Sequence, residues 1–491
     1  MKPRAVAVLD VGKTNKKVAV YDRRLALVFE SKRIVATRDH QGIEVENTPE
    51  LLEWLRGALT AAAREFAIEA IAVTTHGATV AVLDEQGALV HPVISYTHAQ
   101  GAQICADFFK AYGSEPELHQ RTSTADFGFI NAGKILHFMK TRLPEAWKRA
   151  RHVLLYPQYF GYEFTGRRAV EPTYLGNHTY LWDFAAWKYS EVARGLGVDR
   201  MLPQQIKEPW DELGPLRREW AEACGISPAC KVAVGIHDSN SSLLGYLVQR
   251  YPTFTLNSTG TWCVGMRRSE NAVLSEEELQ TKTFFNLDAF RHFLKTSIFL
   301  GGMEYEHFSR LTEHKDQSTL EHALRVLRER KLFILPGVVR DGCIFPNCAP
   351  RVVEDGQARS FTDLAGEGRP MSVKGQEYFA ALNLSLALQT GEMLRLLGTA
   401  ARETVFVEGG FSKNTLYCEL LAALHPTGTV ALSEIKEATS FGAALVAWTL
   451  AEGLRPEALK ADFTIQQRRI EPRALPGLED YRRDFLKLAR G

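Results

Sequence analysis

The sequence has no excess of charge of either sign. Its 59 Lys and Arg against 58 Asp and Glu leave a net charge of +1. It therefore lacks the basic surface by which a nucleic-acid or membrane-surface protein holds phosphates, and no such partner is expected. Short clusters such as Arg217-Arg218 and Arg267-Arg268 read as solvated faces. Cysteine is scarce and scattered: seven residues, at 105, 224, 230, 263, 343, 348 and 418, with no C-x-x-C pair. The odd number and irregular spacing argue against a disulfide framework and fit reduced thiols in a cytoplasmic protein. Cys224 with Cys230, and Cys343 with Cys348, have half-site spacing for zinc, but no nearby His or Cys completes four ligands. Long apolar runs are missing as well. The longest, residues 441–450, is too short to cross a bilayer. The apolar start is interrupted at Asp10, too early for a signal peptide.

What is present is ordinary globular material. The 491 residues are 45% apolar and 24% charged, enough for about two to four domains with cores that need no disulfide or metal. Residues 5–9 are β-branched and apolar and open into the tight turn Asp10-Val11-Gly12; residues 17–21 return as a second strand, with a third near 33–37. Thr48-Pro49 starts a helix with Leu51, Leu52, Leu55, Leu59 and Ala62 on one face. A buried strand over 69–75 ends at Thr74-Thr75-His76-Gly77, and 80–83 with 90–94 reads as a hairpin around 84–87. Together these make a mixed β-β-β-α-β layer. Residues from about 100 to 230 are more helical, with aromatic loops in which Trp182, Trp187 and Trp220 are expected as core or loop anchors.

The opening device then returns. A strand over 253–256, the polar turn Asn257-Ser258-Thr259-Gly260-Thr261 and a strand over 262–266 repeat strand–turn–strand, which suggests two similar domains, 1–245 and 246–491. A long amphipathic helix follows Ser372, then a strand over 404–407, the run Glu408-Gly409-Gly410-Phe411-Ser412, a helix over 413–424, a strand over 429–432 and an apolar helix over 438–451. The polar tail beyond Arg455 is expected to be peripheral.

Four stretches carry chemistry. In Val234-Gly235-Ile236-His237-Asp238-Ser239, an acidic residue ends a strand beside small polar residues, well placed as a general base; the same residue type is a common helix N-cap. In Asp10-Val11-Gly12-Lys13-Thr14-Asn15-Lys16-Lys17, glycine, hydroxyl and exposed N–H groups can cradle phosphate, and Asp10 can hold a hydrated Mg²⁺; a charged hairpin tip is the alternative. A P-loop is excluded, because the position five before Gly12 is Ala7 rather than glycine. Ser258-Thr259-Gly260-Thr261 is a second hydroxyl-rich turn. Glu408 to Asn414 joins a strand to a helix start, with glycines that can lie flat under a purine. Together they are the parts of a phosphoryl transferase, whose catalysis is mostly positioning and charge stabilisation.

These stretches resemble the FGGY family of carbohydrate kinases. Asp10, Gly12, Thr14 and Lys17 fit the family opening, with Lys13 where Thr is usual; Gly235 and Asp238 fit its base motif. Ser258, Gly260 and Thr261 fit its second turn, and Gly409, Gly410, Ser412 and Asn414 its adenosine motif; Ser440-Phe441-Gly442-Ala443-Ala444 is similar to a later helix. The resemblance implies an α/β chain of two ribonuclease-H-like, actin/hexokinase-type domains, with ATP, Mg²⁺ and a small-molecule sugar in the inter-domain cleft. Thr14, Asn15 and Lys17 would hold phosphates from one side and Thr259, Gly260 and Thr261 from the other. Asp10 would position Mg²⁺, and Gly409, Gly410, Phe411 and Asn414 would hold the adenosine. Asp238 would be the base, and His76, Gly77, His98 and His237 the sugar-side residues, with His76 and His98 equally suited to packing. The wording is most similar to the rhamnulokinase and L-fuculokinase branch, so the expected acceptor is a 6-deoxyhexulose such as L-rhamnulose or L-fuculose. His76, Thr79 and His98 depart from that branch in the sugar pocket, which keeps open a pentulose kinase such as a xylulokinase or ribulokinase, or a non-catalytic sugar sensor. An actin-like ATPase acting without sugar is a further rival. A homodimer is compatible with the sequence, which does not define the oligomeric state.

Overall fold

The computed structural model describes residues 2–491 except 129, 250, 252, 312–314, 338–341, 343, 362–374 and 436. Cys343 and Ser372 therefore lie outside the described residues; the other six cysteines are all free.

Two seven-stranded sheets organise the chain. In the first, Arg4–Val11 pairs antiparallel with Asn15–Asp22 and parallel with Ala67–Thr75. In the second, Phe254–Thr259 pairs antiparallel with Cys263–Ser269 and parallel with Thr404–Gly409. The repetition extends outward. Leu27–Ile34 and Phe293–Phe299 add a third antiparallel strand beside each hairpin. Lys231–Ala233 and Thr429–Ser433 add a further parallel strand on the other side. The turn at residues 12–14 and the turn at 260–262 thus occupy equivalent places in two copies of one device.

Two helices lie between the sheets. Asp238–Gln249 sets Leu243, Tyr246 and Leu247 against Phe254, Leu256 and Phe406 of the second sheet. Ala438–Glu452, although late in the chain, sets Ala443, Ala444, Ala447 and Trp448 against Val6, Val8, Ala70 and Ala72 of the first. A helix apolar all round is one buried on several sides. The two helices cross so closely that a Cβ on Gly442 would stand 1.7 Å from the Ser241 carbonyl oxygen. No described helix is long and apolar enough to cross a membrane.

Four expectations need correction. The third strand is Leu27–Ile34, earlier than residues 33–37. It is a sheet edge with Leu27 42% and Ile34 69% exposed, so it carries no buried face for an apolar pattern to reveal. Val80–Leu83 takes His152–Leu155 as its strand partner rather than a strand over 90–94; of the expected hairpin there remain the turn around 84–87, with the Val90 N–H on the Val82 carbonyl at 3.0 Å, and the bridge Leu83↔Leu89. As expected, Trp182 and Trp220 are buried, and Trp187, 41% exposed in a loop, is an anchor there, packed on Trp182 at 5.6 Å and Phe293 at 6.2 Å. The helix expected from 413 begins at Thr415, after a 3₁₀ turn over Gly410–Lys413. The tail is not peripheral. Gln467–Ile470 joins the second sheet, and Leu478–Arg490 buries Leu478, Tyr481, Phe485 and Ala489, a narrow apolar stripe hidden in a polar composition.

Candidate active site

Parallel strands that end together place their following residues side by side. Arg4–Val11, Ala67–Thr75 and Ile236–His237 are such a set, in register at Asp10↔Thr74 and His237↔Thr75. Asp10, His76-Gly77 and Asp238 are thereby brought together, and the His76 N–H donates to the Val11 carbonyl at 3.0 Å.

Asp238 is the first residue of its helix, and its Oδ1 accepts the Ser239 N–H at 2.7 Å. The side chain keeps 31% exposure, and the same Oδ1 lies 3.4 Å from His237 Nε2. It is therefore both a helix-start carboxylate and an open one. Burial among the surrounding groups raises its pKa above the ordinary carboxylate value, with the Ser239 hydrogen bonds opposing. Asp10 is pushed up to about 6, first by burial and further by the charge of Asp238; the Lys17 ammonium at 3.7 Å and the Ser440 hydroxyl at 2.7 Å pull the other way. Burial drives the neighbouring histidines down, His76 to about 4 and both His178 and His237 to about 3, so all three are neutral at pH 7.

Asp238 lines a cavity of about 750 Å³, counting its open mouth. One wall comes from the first half of the chain: His76, Gly77, Tyr96, Asn177, His178 and His237. The facing wall comes from the second sheet and its 260–262 turn: Trp262, Phe284, Asn286, Thr296 and Ile298. This size and mixture of aromatic surface with a few polar groups suits a small-molecule ligand. Gly77 is as close as a residue can be to the histidines, since a Cβ there would meet His237 Nε2 at 2.8 Å. His98 stands apart. Its Nδ1 accepts the Glu44 N–H at 3.3 Å, its ring packs on Phe138 at 5.4 Å, and it does not line the cavity.

A second, wider groove holds Asp10, Ser258, Glu408, Gly409, Gly410 and Glu437. Gly409 is required at its position: its φ is +82°, and a Cβ would lie 1.9 Å from the Thr259 carbonyl oxygen. Other members of these turns are occupied internally. The Thr259 hydroxyl donates to the Glu408 carbonyl and accepts the Phe411 N–H at 2.9 Å. The Phe411 ring is buried against Tyr417 at 4.9 Å. Asn414 caps the helix Thr415–Leu424, accepting the Tyr417 N–H at 3.0 Å and donating to Asn383 Oδ1 at 2.7 Å. The Gly260 N–H is closed onto the Trp262 carbonyl at 2.8 Å, and the Thr261 carbonyl accepts the Met303 N–H at 3.3 Å.

Gly12 and Thr14 belong to the first hairpin turn, and Asn15 begins the strand that leaves it. Lys17 is buried between Glu437, Asp10 and Ser440, and so ties the first sheet to the start of the helix Ala438–Glu452. Lys13 turns the other way, to Glu46 at 2.8 Å and to Ser95, with its ammonium 5.1 Å from the Tyr96 ring centre. Asn177, His178, Asn286 and Glu437 were not anticipated from sequence. They sit in no spaced motif, and only the folded chain brings them to the two hollows. Among the described residues no three His, Cys, Asp or Glu side chains gather to cage a metal.

Comparisons with known proteins agree on the family. The FGGY family of carbohydrate kinases, N-terminal domain, matches residues 5–245, and Carbohydrate kinase FGGY, C-terminal domain, matches residues 251–456. An L-fuculokinase of Escherichia coli (strain K12) is 26% identical over 97% of this chain and 99% of its own length. A rhamnulokinase of Enterococcus faecalis is 29% identical over 36% of this chain and 34% of its own. The crystal structure of a carbohydrate kinase from Novosphingobium aromaticivorans superposes with a TM-score of 0.82 at 26% identity, covering 99% of this chain and 98% of that one. The fold is thus the mixed α/β, two-domain, actin/hexokinase-type architecture of those enzymes. The chain belongs to the FGGY family of carbohydrate kinases and is an ATP-dependent sugar kinase.

Proposed function

We propose that the protein transfers the γ-phosphate of ATP to a hydroxyl of a ketose, a 6-deoxyhexulose such as L-rhamnulose or L-fuculose, with Asp238 as general base. One observation carries this reading: Asp238, which follows a strand of the first sheet, lines the smaller cavity while Asp10, in the same sheet, lines the wider groove. A sugar in the first and a nucleotide in the second would meet at the two carboxylates. The L-fuculokinase and rhamnulokinase relatives support the acceptor class. So does the wall of Trp262, Phe284 and Ile298, which suits a methyl end better than a hydroxymethyl one.

In this reading Asp238 takes the proton from the sugar hydroxyl as the new O–P bond forms and the bond to the ADP leaving oxygen breaks. An ionised Asp238 is needed, and such base help is worth about 10²–10⁴-fold. His237, neutral and 3.4 Å from the carboxylate, leaves the charge of Asp238 unneutralised. The turns carrying Thr14 and Asn15 on one side, and Gly260 and Thr261 on the other, face the phosphates; Thr259, Phe411 and Asn414 act by holding the glycine turn in shape. Gly409 and Gly410 take the adenosine. Lys17 offsets the charge of Asp10 and of the phosphates. Mg²⁺ fits as a hydrated ion beside Asp10: two carboxylates raise each other's cost there and no closed ligand cage competes among the described residues. When bound, it would neutralise phosphate charge. We keep the division 1–245 and 246–491 as a proposal: it assigns one sheet to each part, falls within the helix Asp238–Gln249, and leaves the helix Ala438–Glu452 packed on the first sheet.

The test is a coupled ADP-release assay over a panel of ketoses. ATP alone should give little turnover, and L-fuculose or L-rhamnulose should raise it strongly. Steady hydrolysis indifferent to sugar would overturn the reading.

A further inference from the structure

Four buried polar atoms on side chains that line the sugar cavity have no hydrogen-bond partner within the protein: His76 Nε2, Asn177 Oδ1, His178 Nδ1 and Asn286 Oδ1. Buried polar groups in native proteins are nearly always paired, so a set left open around one cavity calls for a ligand that pairs them. The two amides have their nitrogens engaged. Asn286 Nδ2 donates to Thr296 Oγ1 at 3.1 Å, leaving its oxygen free. Asn177 Nδ2 lies 3.2 Å from His237 Nε2, and again the amide oxygen is left over.

His178 is the most constrained of the four. Its backbone is left-handed at φ 53°, unusual for a residue with a side chain, and its carbonyl accepts the Ala132 N–H at 2.9 Å. Its ring is wedged between Phe127 at 5.7 Å and Phe284 at 5.1 Å. A neutral imidazole held this way offers one donor and one acceptor. Amide oxygens and an imidazole nitrogen together ask for hydroxyl groups. The wall contains no Lys or Arg among the described residues, and its one acid is Asp238. A carboxylate or phosphate on the sugar would enter beside Asp238 with no cation to meet it, which buried charge does not tolerate.

We infer that His178, Asn177 and Asn286 read the hydroxyls of the acceptor, and that this wall confines the enzyme to uncharged ketoses, rejecting sugar acids and sugar phosphates. His178 and Asn177 come from the first half of the chain and Asn286 from the second sheet, so the sugar is read by both halves at once. The inference rests on the cavity being the sugar site.

The experiment measures KM and kcat for L-fuculose, L-rhamnulose, D-xylulose, D-gluconate and D-fructose 6-phosphate with the wild type, then for the best ketose with His178→Leu, Asn286→Leu and His178→Gln. Expected for the wild type is turnover of a ketose with neither anionic sugar used. The two Leu variants should raise the ketose KM by about tenfold or more with the ATP KM unchanged, and His178→Gln should recover part of the loss. D-gluconate or D-fructose 6-phosphate turned over as well as a ketose would overturn the charge selection, whatever the variants do. Folded Leu variants with unchanged ketose KM would overturn the residue assignment. Absence of ADP release with every sugar would instead strike the kinase reading itself.

Discussion

At the residue scale, Asp10 is the side chain whose environment says most. Its pKa of about 6 in the folded protein lies above the ordinary 3.8 because burial outweighs the Lys17 ammonium and the Ser440 hydroxyl. The folded state therefore binds this proton more tightly than the unfolded chain. Between about 6 and 3.8 the group adds stability as pH falls, and above 6 its buried charge is a standing cost on the order of 3 kcal/mol. Asp10→Asn removes that cost. Thermal unfolding across pH 4–8 should show the variant more stable than the wild type at pH 7.5, with the difference vanishing towards pH 4, while kinase turnover falls. A difference independent of pH would contradict the burial of a charged Asp10. Asp10, Asp238 and Gly409 were legible in the sequence because each stands next to a strand end with small neighbours. His178 was not: its claim rests on a left-handed backbone and two rings from distant parts of the chain. Phe411 and Asn414 were legible as part of a turn but not in their roles, since a motif does not say which side chain faces inward.

At the element scale, one of the contacts that join the halves is the crossing of Asp238–Gln249 and Ala438–Glu452. Gly442 permits it: no side chain fits at 1.7 Å from the Ser241 carbonyl oxygen, and the Ser241 hydroxyl donates to the Thr439 carbonyl at 2.7 Å. Because Ser241 and Asp238 share one short helix, a forced separation would also move Asp238. Gly442→Leu is expected to destabilise the protein by about 1–3 kcal/mol, read as a lowered denaturation midpoint, and to lower kcat in the remaining folded fraction. An unchanged midpoint would show that the crossing is loose. Local pattern identified these helices well, because apolar spacing and flanking small residues are local properties. It failed for Val80–Leu83, whose partner His152–Leu155 lies far along the chain, and for the helix Leu478–Arg490, whose four buried positions are diluted by charge.

At the scale of the whole molecule, one strand–turn–strand device occurs twice, and Asp10 and Asp238 line hollows to which both halves contribute. This was visible in sequence as two polar turns with similar flanks, although nothing in the spacing told which hollow is the smaller and which the wider. The geometry divides the labour: a cavity walled by both halves around Asp238, and a groove lined by Asp10 and the glycine turn. Closure of such halves over a sugar would keep water from the phosphate being transferred. The direct measurement is single-turnover phosphorylation of the best ketose by Asp238→Asn beside wild type, with ATP affinity measured on the same samples. With Asp238 as the base, the rate should fall about 10²–10⁴-fold and the ATP dissociation constant should stay within about twofold. A rate near that of the wild type would show that another group takes the proton.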